Sequence, residues 1–344
     1  MTAYSLLNTL YVTTGGAYLH LDNDTVRVEV ERETRLRVPL HHLGGIVGFG
    51  DVLISPALIG RCAESGIGMA LLDRNGRFRA RIEGPISGNV LLRKAQFDTS
   101  GPASLDLARR MVMGKLKNTR ALLQRGARDA KSDADRKALG AAVKKFDASL
   151  RAVAAADTAD ALRGVEGEAA RTYFSVFSCL VRPDLRIDFA LNGRNRRPPR
   201  DPINALLSFL YTLLIHDCRA ALETVGLDPQ VGFLHALRPG RPALALDLAE
   251  EFRAILADRV ALALINRGQI KSTDFRRTEG GGVLLEGDAR RTVAVAWQEK
   301  KQETLRHPVL DADVPLGLLP QIQARLLART LRGDVEAYLP FMAR

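Results

Sequence analysis

The sequence predicts an α+β chain of two domains: a small β-rich N-terminal domain over residues 1–92, a linker over 93–101, and a larger all-α domain over 102–344. Three observations predict this. Short runs of alternating apolar and polar residues, broken by Gly, Asn and Asp, fill the first ninety or so positions. Beyond them, Ala, Leu, Arg and Lys recur at helical spacing over 102–128, 132–155 and 158–181. Charge divides in the same place: of 50 Lys+Arg and 39 Asp+Glu, only 11 and 9 lie in residues 1–97, so most of the net +11 falls in the second part.

Taken in order, Leu6 to Thr13 reads as a strand that ends at Gly15-Gly16. Tyr18 to Leu21 and Val26 to Val30 flank Asp22-Asn23-Asp24, the pattern of a hairpin. Val38 to Leu40 and Gly45 to Phe49 suggest further strands. Ser55-Pro56 opens a helix to about Ser65, with Ser as cap and Pro in the first turn. Gly68 to Leu72 and Phe78 to Ile82 are strands joined through Arg74-Asn75-Gly76. After the three long helical segments, Pro183 to Asp201 is a break rich in Arg, Asn and Pro. Helices are expected again at about 203–224, 229–237 and 247–267, then a short hairpin around Gly280 to Val293, then helices at 296–304 and 316–333.

Composition narrows the class. A chain of 344 residues that is 46% hydrophobic and 26% charged is that of an ordinary globular protein. No apolar run approaches a membrane span, and the N-terminus lacks a basic region before its apolar residues, so no export, no membrane anchor and a cytoplasmic location are expected. Cys62, Cys179 and Cys218 are too scattered for a zinc site and suit buried reduced thiols. A pI near 9.9 favours a polyanionic partner, because cations gain by releasing counterions from a phosphate backbone.

Several side chains can carry chemistry. Glu166 lies among Leu162, Val165, Ala169 and Tyr173, so its carboxylate needs a metal, a cation or a proton; an ordinary ion pair serves as well as a ligand role. Asp247 and Glu250, three apart, share one helical face, which suits a divalent cation or a helix dipole. His235 closes an apolar stretch ahead of a Pro/Gly loop and fits either a ligand or a hydrogen-bonded core histidine. His216, His41 and His42 carry weaker signals. His235-Ala236-Leu237-Arg238 matches a box of tyrosine recombinases, but the next tyrosine is Tyr338, too distant for their nucleophile. Gly44, Gly45, Gly48 and Gly50 lack the Gly-Lys-Ser/Thr of a phosphate loop.

Four segments occur in a telling order: Gly164-Val165-Glu166-Gly167 through Phe174, Asn204 through Tyr211, Leu227-Asp228-Pro229 through His235, and Asp247-Leu248-Ala249-Glu250 through Arg253. With Leu7-Asn8-Thr9-Leu10-Tyr11 through Gly66-Ile67, they resemble the CRISPR-associated spacer-acquisition integrase ("Cas-one") family, subtype I-C most closely. The resemblance implies a dimerising β-rich domain on a helical catalytic domain. It implies one Mg²⁺ or Mn²⁺ ion held by Glu166, His235 and Glu250, with Asp247 as a second acid and Arg253 as a basic residue near DNA. Glu250 stands where many members have Asp. The implied reaction is attack by a DNA 3′-hydroxyl on a phosphodiester, which needs no nucleophilic side chain and no ATP. Implied partners are double-stranded DNA, a second copy of the chain and the small "Cas-two" subunit.

Arg194, Arg196, Arg197 and Arg200 are candidate phosphate contacts, and Tyr211 is a further DNA-side candidate. Two other functions fit the same residues: a metal-dependent nuclease for branched repair intermediates, and a non-enzymatic DNA-binding scaffold.

Overall fold

A computed structural model of the chain describes residues 7–74, 76, 78–82, 84 and 90–343. It begins with β1 (Asn8–Val12), β2 (Tyr18–Asp22), β3 (Thr25–Val30) and β4 (Glu33–Pro39). A 3-10 turn over Leu40–His42 leads to β5 (Leu43–Phe49) and β6 (Leu53–Ile54); helix α1 (Pro56–Glu64) then precedes β7 (Gly68–Leu72) and β8 (Phe78–Ile82). The expected hairpin forms, with β2 antiparallel to β3 about a turn in which Asn23 has φ 53°. Ser55 caps α1, its Oγ accepting from the Leu58 amide at 3.2 Å. Leu6, and Asn75 of the expected Arg74–Gly76 turn, lie outside the described residues. β4 is longer than its sequence suggests because Glu33–Leu36 and Arg37 are exposed on an edge strand, where no apolar alternation is needed.

The strands make two four-stranded sheets, ordered β1-β5-β7-β8 and β4-β3-β2-β6. β5 runs parallel to both β1 and β7. Because side chains alternate across a sheet, these central strands serve two cores. Ile46 and Met69 face one way, onto Leu19, Val26, Val28 and Leu58. Val47, Phe49, Ala70 and Leu72 face the other way, into the core of the helical part, where Phe49 stacks on Phe209 with centroids 5.6 Å apart. An ion pair between Arg81 and Glu223 also ties β8 to that part.

Helix α2 (Val90–Asp98) occupies most of the stretch expected to be a linker. Its pattern hides it: Val90, Leu91 and Phe97 are exposed, and only Leu92 and Gln96 are buried. Gln96 ties down a distant loop, donating to Asp228 O (2.8 Å) and Val231 O (2.9 Å) and accepting from the Asp228 amide (2.9 Å). Beyond it run α3 (Gly101–Asp129), α4 (Asp133–Ala155), α5 (Ala159–Val176), α6 (Pro202–Thr224), α7 (Ala243–Glu250) and α8 (Asp258–Asn266). β9 (Phe275–Arg277) and β10 (Val283–Leu285) form one antiparallel pair before α9 (Gly287–Gln302); β11 (Thr304–His307) and β12 (Ala312–Pro315) form another before α10 (Leu319–Arg332). This part is therefore mostly helical but not all-α. The hairpin expected over 280–293 lies earlier, and α9 covers its second half.

Among the described residues α6 is long and apolar enough, by length and composition, to cross a membrane, contrary to the sequence expectation. Most of it is buried in the core, with Ile203, Leu206, Leu207, Leu210 and Leu214 wholly enclosed. The helix expected at 229–237 is absent; these residues form turns and extended chain. Gly232 explains why: a Cβ there would lie 2.7 Å from both the Ala243 carbonyl carbon and Asp247 Oδ2. The backbone is pressed against α7, and its amides bond to Asp247 instead of to a helix of their own.

Candidate metal and nucleic-acid site

Asp247, wholly buried on α7, organises one side of the site. Its Oδ2 accepts from the amides of Phe233 (2.7 Å) and Leu234 (3.0 Å), and its Oδ1 accepts from the amide of His235 (3.0 Å). The same Oδ1 lies 2.5 Å from His235 Nδ1. A carboxylate can only accept, so Nδ1 carries a proton, and in the neutral imidazole that tautomer leaves the lone pair on Nε2. Asp247 is thus an orienting residue behind the imidazole, the arrangement found behind metal-ligating histidines.

Glu250, the last residue of α7, is 4% exposed. Arg253 Nη2 lies 2.9 Å from its Oε1 and Lys115 Nζ 2.7 Å from its Oε2, the latter an ion pair without hydrogen-bond alignment. Lys115, on α3, also pairs with Glu166 on α5, so one ammonium joins two carboxylates 84 residues apart in the chain. Burial pushes the Glu250 carboxyl up, but Arg253, Lys115 and His235 outweigh it and hold it down to about 2. It is anionic at neutral pH.

Arg253 is itself fixed from behind. It stacks over Tyr211, 4.5 Å from the ring centroid, and the Tyr211 hydroxyl donates to Asp258 Oδ1 at 2.7 Å. Tyr173 donates to Asp258 Oδ2 at 2.8 Å. Burial raises the Asp258 carboxyl to about 6 against these hydrogen bonds and the pull of Arg253 and Arg194.

The structure thus brings Glu166, His235, Glu250, Asp247 and Arg253 into one neighbourhood. Among the described residues, however, no three His, Cys, Asp or Glu side chains stand at metal-holding separations; Lys115 pairs with both glutamates. The donor set still suits a hard or borderline divalent cation: two carboxylates that already share a cation, and an imidazole nitrogen turned free by its partner.

The DNA-side candidates divide. Arg196, Arg197 and Arg200 are exposed and their guanidinium groups meet no protein acceptor among the described residues. Arg194 is turned inward: it donates to Asn204 Oδ1 (2.6 Å) and Ser208 Oγ (3.2 Å) and lies 5.3 Å from the Tyr211 centroid. Tyr211 is 6% exposed with its hydroxyl occupied by Asp258. Neither is placed to touch a phosphate: Tyr211 supports Arg253, and Arg194 packs beside the same ring. Reading the sequence missed Lys115, Tyr173 and Asp258. A lysine in a long Ala/Leu/Lys helix gives no signal, though the Asp258 carboxyl, eight residues past Glu250, continues an acidic series that could have been followed.

By fold, this is a protein of the Cas1-like class. It resembles a casposase bound to integration product (TM-score 0.84, 23% identity, covering 98% of this chain and 95% of that one). It also resembles a chain of a Cas6-RT-Cas1–Cas2 complex (TM-score 0.80, 25% identity, covering 98% of this chain and 37% of that one). The family model of CRISPR associated protein Cas1 matches residues 10–299. CRISPR-associated endonuclease Cas1 2 of Rhodospirillum rubrum is 55% identical over 341 residues, 98% of each chain. The chain belongs to the Cas1 family.

Proposed function

We propose that this chain is the integrase of CRISPR spacer acquisition, joining the 3′-hydroxyls of a short DNA duplex to phosphodiesters of a repeat array, with DNA endonuclease activity at the same site. The observation that carries this reading is the meeting of Glu166 and Glu250 on one cation beside an imidazole oriented by Asp247. Glu166, Glu250 and Nε2 of His235 would hold one Mg²⁺ or Mn²⁺ ion, the imidazole tilting the preference toward Mn²⁺. Such an ion supplies Lewis acidity, lowering the pKa of a hydroxyl and offsetting charge on phosphorus. The chain's own groups do the rest. Asp247 keeps the proton on Nδ1, Arg253 and Lys115 supply positive charge where the phosphate gains negative charge, and Arg196, Arg197 and Arg200 hold the backbone.

The β-rich part is the proposed dimer interface, residues 102–344 the catalytic part, and the "Cas-two" subunit the partner. The family membership and the Cas1–Cas2 neighbour support the last of these. Placement in subtype I-C rests on the run of its motifs, and the genes beside it decide that point. A cytoplasmic site of action follows from acting on a repeat array.

The test supplies a labelled duplex with free 3′-hydroxyls and a repeat-containing target with Mn²⁺ or Mg²⁺. Joined product that EDTA abolishes is expected. Cleavage with no joined product would leave a nuclease for branched DNA, and no divalent-dependent chemistry would leave a scaffold.

A further inference from the structure

Away from the glutamate pair, α3, α8 and α9 end around an open cleft of about 530 Å³. Its α3 wall includes Gly126, eleven residues past Lys115, which at 1.5 Å per residue places it about 16 Å along the helix from the site above. Seven Lys or Arg against four Asp or Glu line it. Three of those acids are already paired inside the cleft: Asp129 with Arg125 (3.6 Å), Asp135 with Arg186 (2.8 Å), and Glu303 with Lys300. Lys131, Arg259 and Arg267 meet no protein acceptor among the described residues. Arg259 is half-buried; its desolvation and the neighbouring Arg125 work against its charge, and Glu303 offsets them only in part. Arg125 and Arg259 are held together in this wall, and the three cations without an acceptor outnumber the one remaining lining acid, Glu299, so a bound anion lowers the electrostatic cost.

We propose that this cleft is a second DNA-holding site, which grips the phosphodiester backbone through Lys131, Arg259 and Arg267 without reading bases. The proposal rests on the reading that the chain acts on DNA. Backbone chemistry is favoured because the lining contains no Phe, Tyr or Trp on which a base could stack, and its apolar members are Leu, Val, Ala, Cys179 and Pro183. A spacing of about 16 Å from Lys115 corresponds to roughly five nucleotides of B-form rise, so one bound molecule can reach both places.

The experiment measures binding of a labelled 30-mer, as duplex and as single strand, to the full chain across a salt series. Lys131 and Arg267 are exposed, so the double variant K131E/R267E keeps the fold, and its melting temperature is recorded alongside; Arg259→Gln is the second variant. In the double variant the dissociation constant is expected to rise about ten-fold or more at low salt. The salt slope should fall by about 1.8 for duplex or about 1.4 for a single strand, whichever form the cleft holds. Arg259→Gln is expected to lower the slope by about one contact's worth in the same form.

If these cations merely neutralise the converging helix C-termini, melting falls while both slopes stay at the wild-type value, and the proposal is overturned. A wild-type chain that joins strands while both variants bind normally removes the cleft alone. A wild-type chain that neither binds nor joins DNA removes the functional reading, and the cleft with it.

Discussion

Glu250 and Glu251 are adjacent, both buried, and opposite in electrostatic character. Glu250 faces Arg253, Lys115 and His235 and is held down to about 2. Glu251 faces the end of the chain: its carboxylate accepts from the Tyr338 hydroxyl (2.5 Å), the Phe341 amide (2.7 Å) and Gln323 Nε2 (3.3 Å). None of those partners is charged, so burial dominates and pushes its carboxyl up to about 8. Asn118 closes the same cluster, donating to Glu251 O at 2.8 Å and Phe341 O at 2.9 Å and accepting from the Ala343 amide at 2.8 Å. Burial alone therefore does not make a functional acid; the partners do. One carboxylate is kept charged, as its proposed ligand role requires, and its neighbour straps the C-terminal segment behind it.

The sharpest way to break this contrast is to neutralise each acid in turn. Glu250→Gln removes a proposed ligand and is expected to cut strand joining about 10³-fold or more, with circular dichroism and the melting curve still cooperative. Glu251→Gln is expected to retain most of the joining activity and to act on stability instead. Equal losses of activity in the two variants would show that the division of labour is false.

Asp247 lies between these extremes, because it acts on the site through His235 while holding three amides of the same turn. Asp247→Asn is expected to weaken Mn²⁺ binding, read by titration calorimetry, about 10–100-fold. It should also lower stability by about 3 kcal/mol, since an amide cannot accept all four bonds. Unchanged Mn²⁺ affinity with lowered stability would reduce Asp247 to a structural residue.

The strap makes a pH prediction. The folded-state pKa of Glu251 lies above its unfolded value, so its contribution is fully present below the unfolded pKa and is lost as pH rises through about 8. Stability of the wild-type chain is expected to fall by a few kcal/mol relative to Glu251→Gln between about pH 5 and pH 8. Parallel urea-denaturation curves for the two proteins across that range would place the carboxyl's titration elsewhere.

What the sequence made legible follows from how local each signal is. Strands β2 and β3 and the cap at Ser55 depend on neighbours a few residues away, and they form where expected. The helix expected at 229–237 does not form, because its amides are claimed by a carboxylate 12–14 residues ahead in the chain. α2 was hidden because it buries one glutamine and one leucine rather than an apolar stripe. Glu166, His235 and Glu250 were separately suspect from their surroundings, yet only the family resemblance grouped them. Lys115 could not be found from sequence at all: its role exists only through contacts 51 and 135 residues away.

The smallest expected effect separates the cations as Glu250 and Glu251 separate the acids. Arg196, Arg197 and Arg200 are exposed, while Arg194, in the same loop, is turned inward onto Asn204, Ser208 and Tyr211. Changing the three exposed arginines to Ala should leave melting nearly unchanged and lower the salt slope of duplex binding by up to about 2.7. Arg194→Ala should do the reverse, costing about 1 kcal/mol of stability, because the Asn204 oxygen loses one of its two donors and keeps the Asn195 amide. It should leave the slope within error, because a guanidinium enclosed by its own protein releases no counterion from DNA. A slope that falls with Arg194→Ala as much as with one exposed arginine would mean that this side chain swings out to meet the backbone, and that the inward contacts describe only the DNA-free loop.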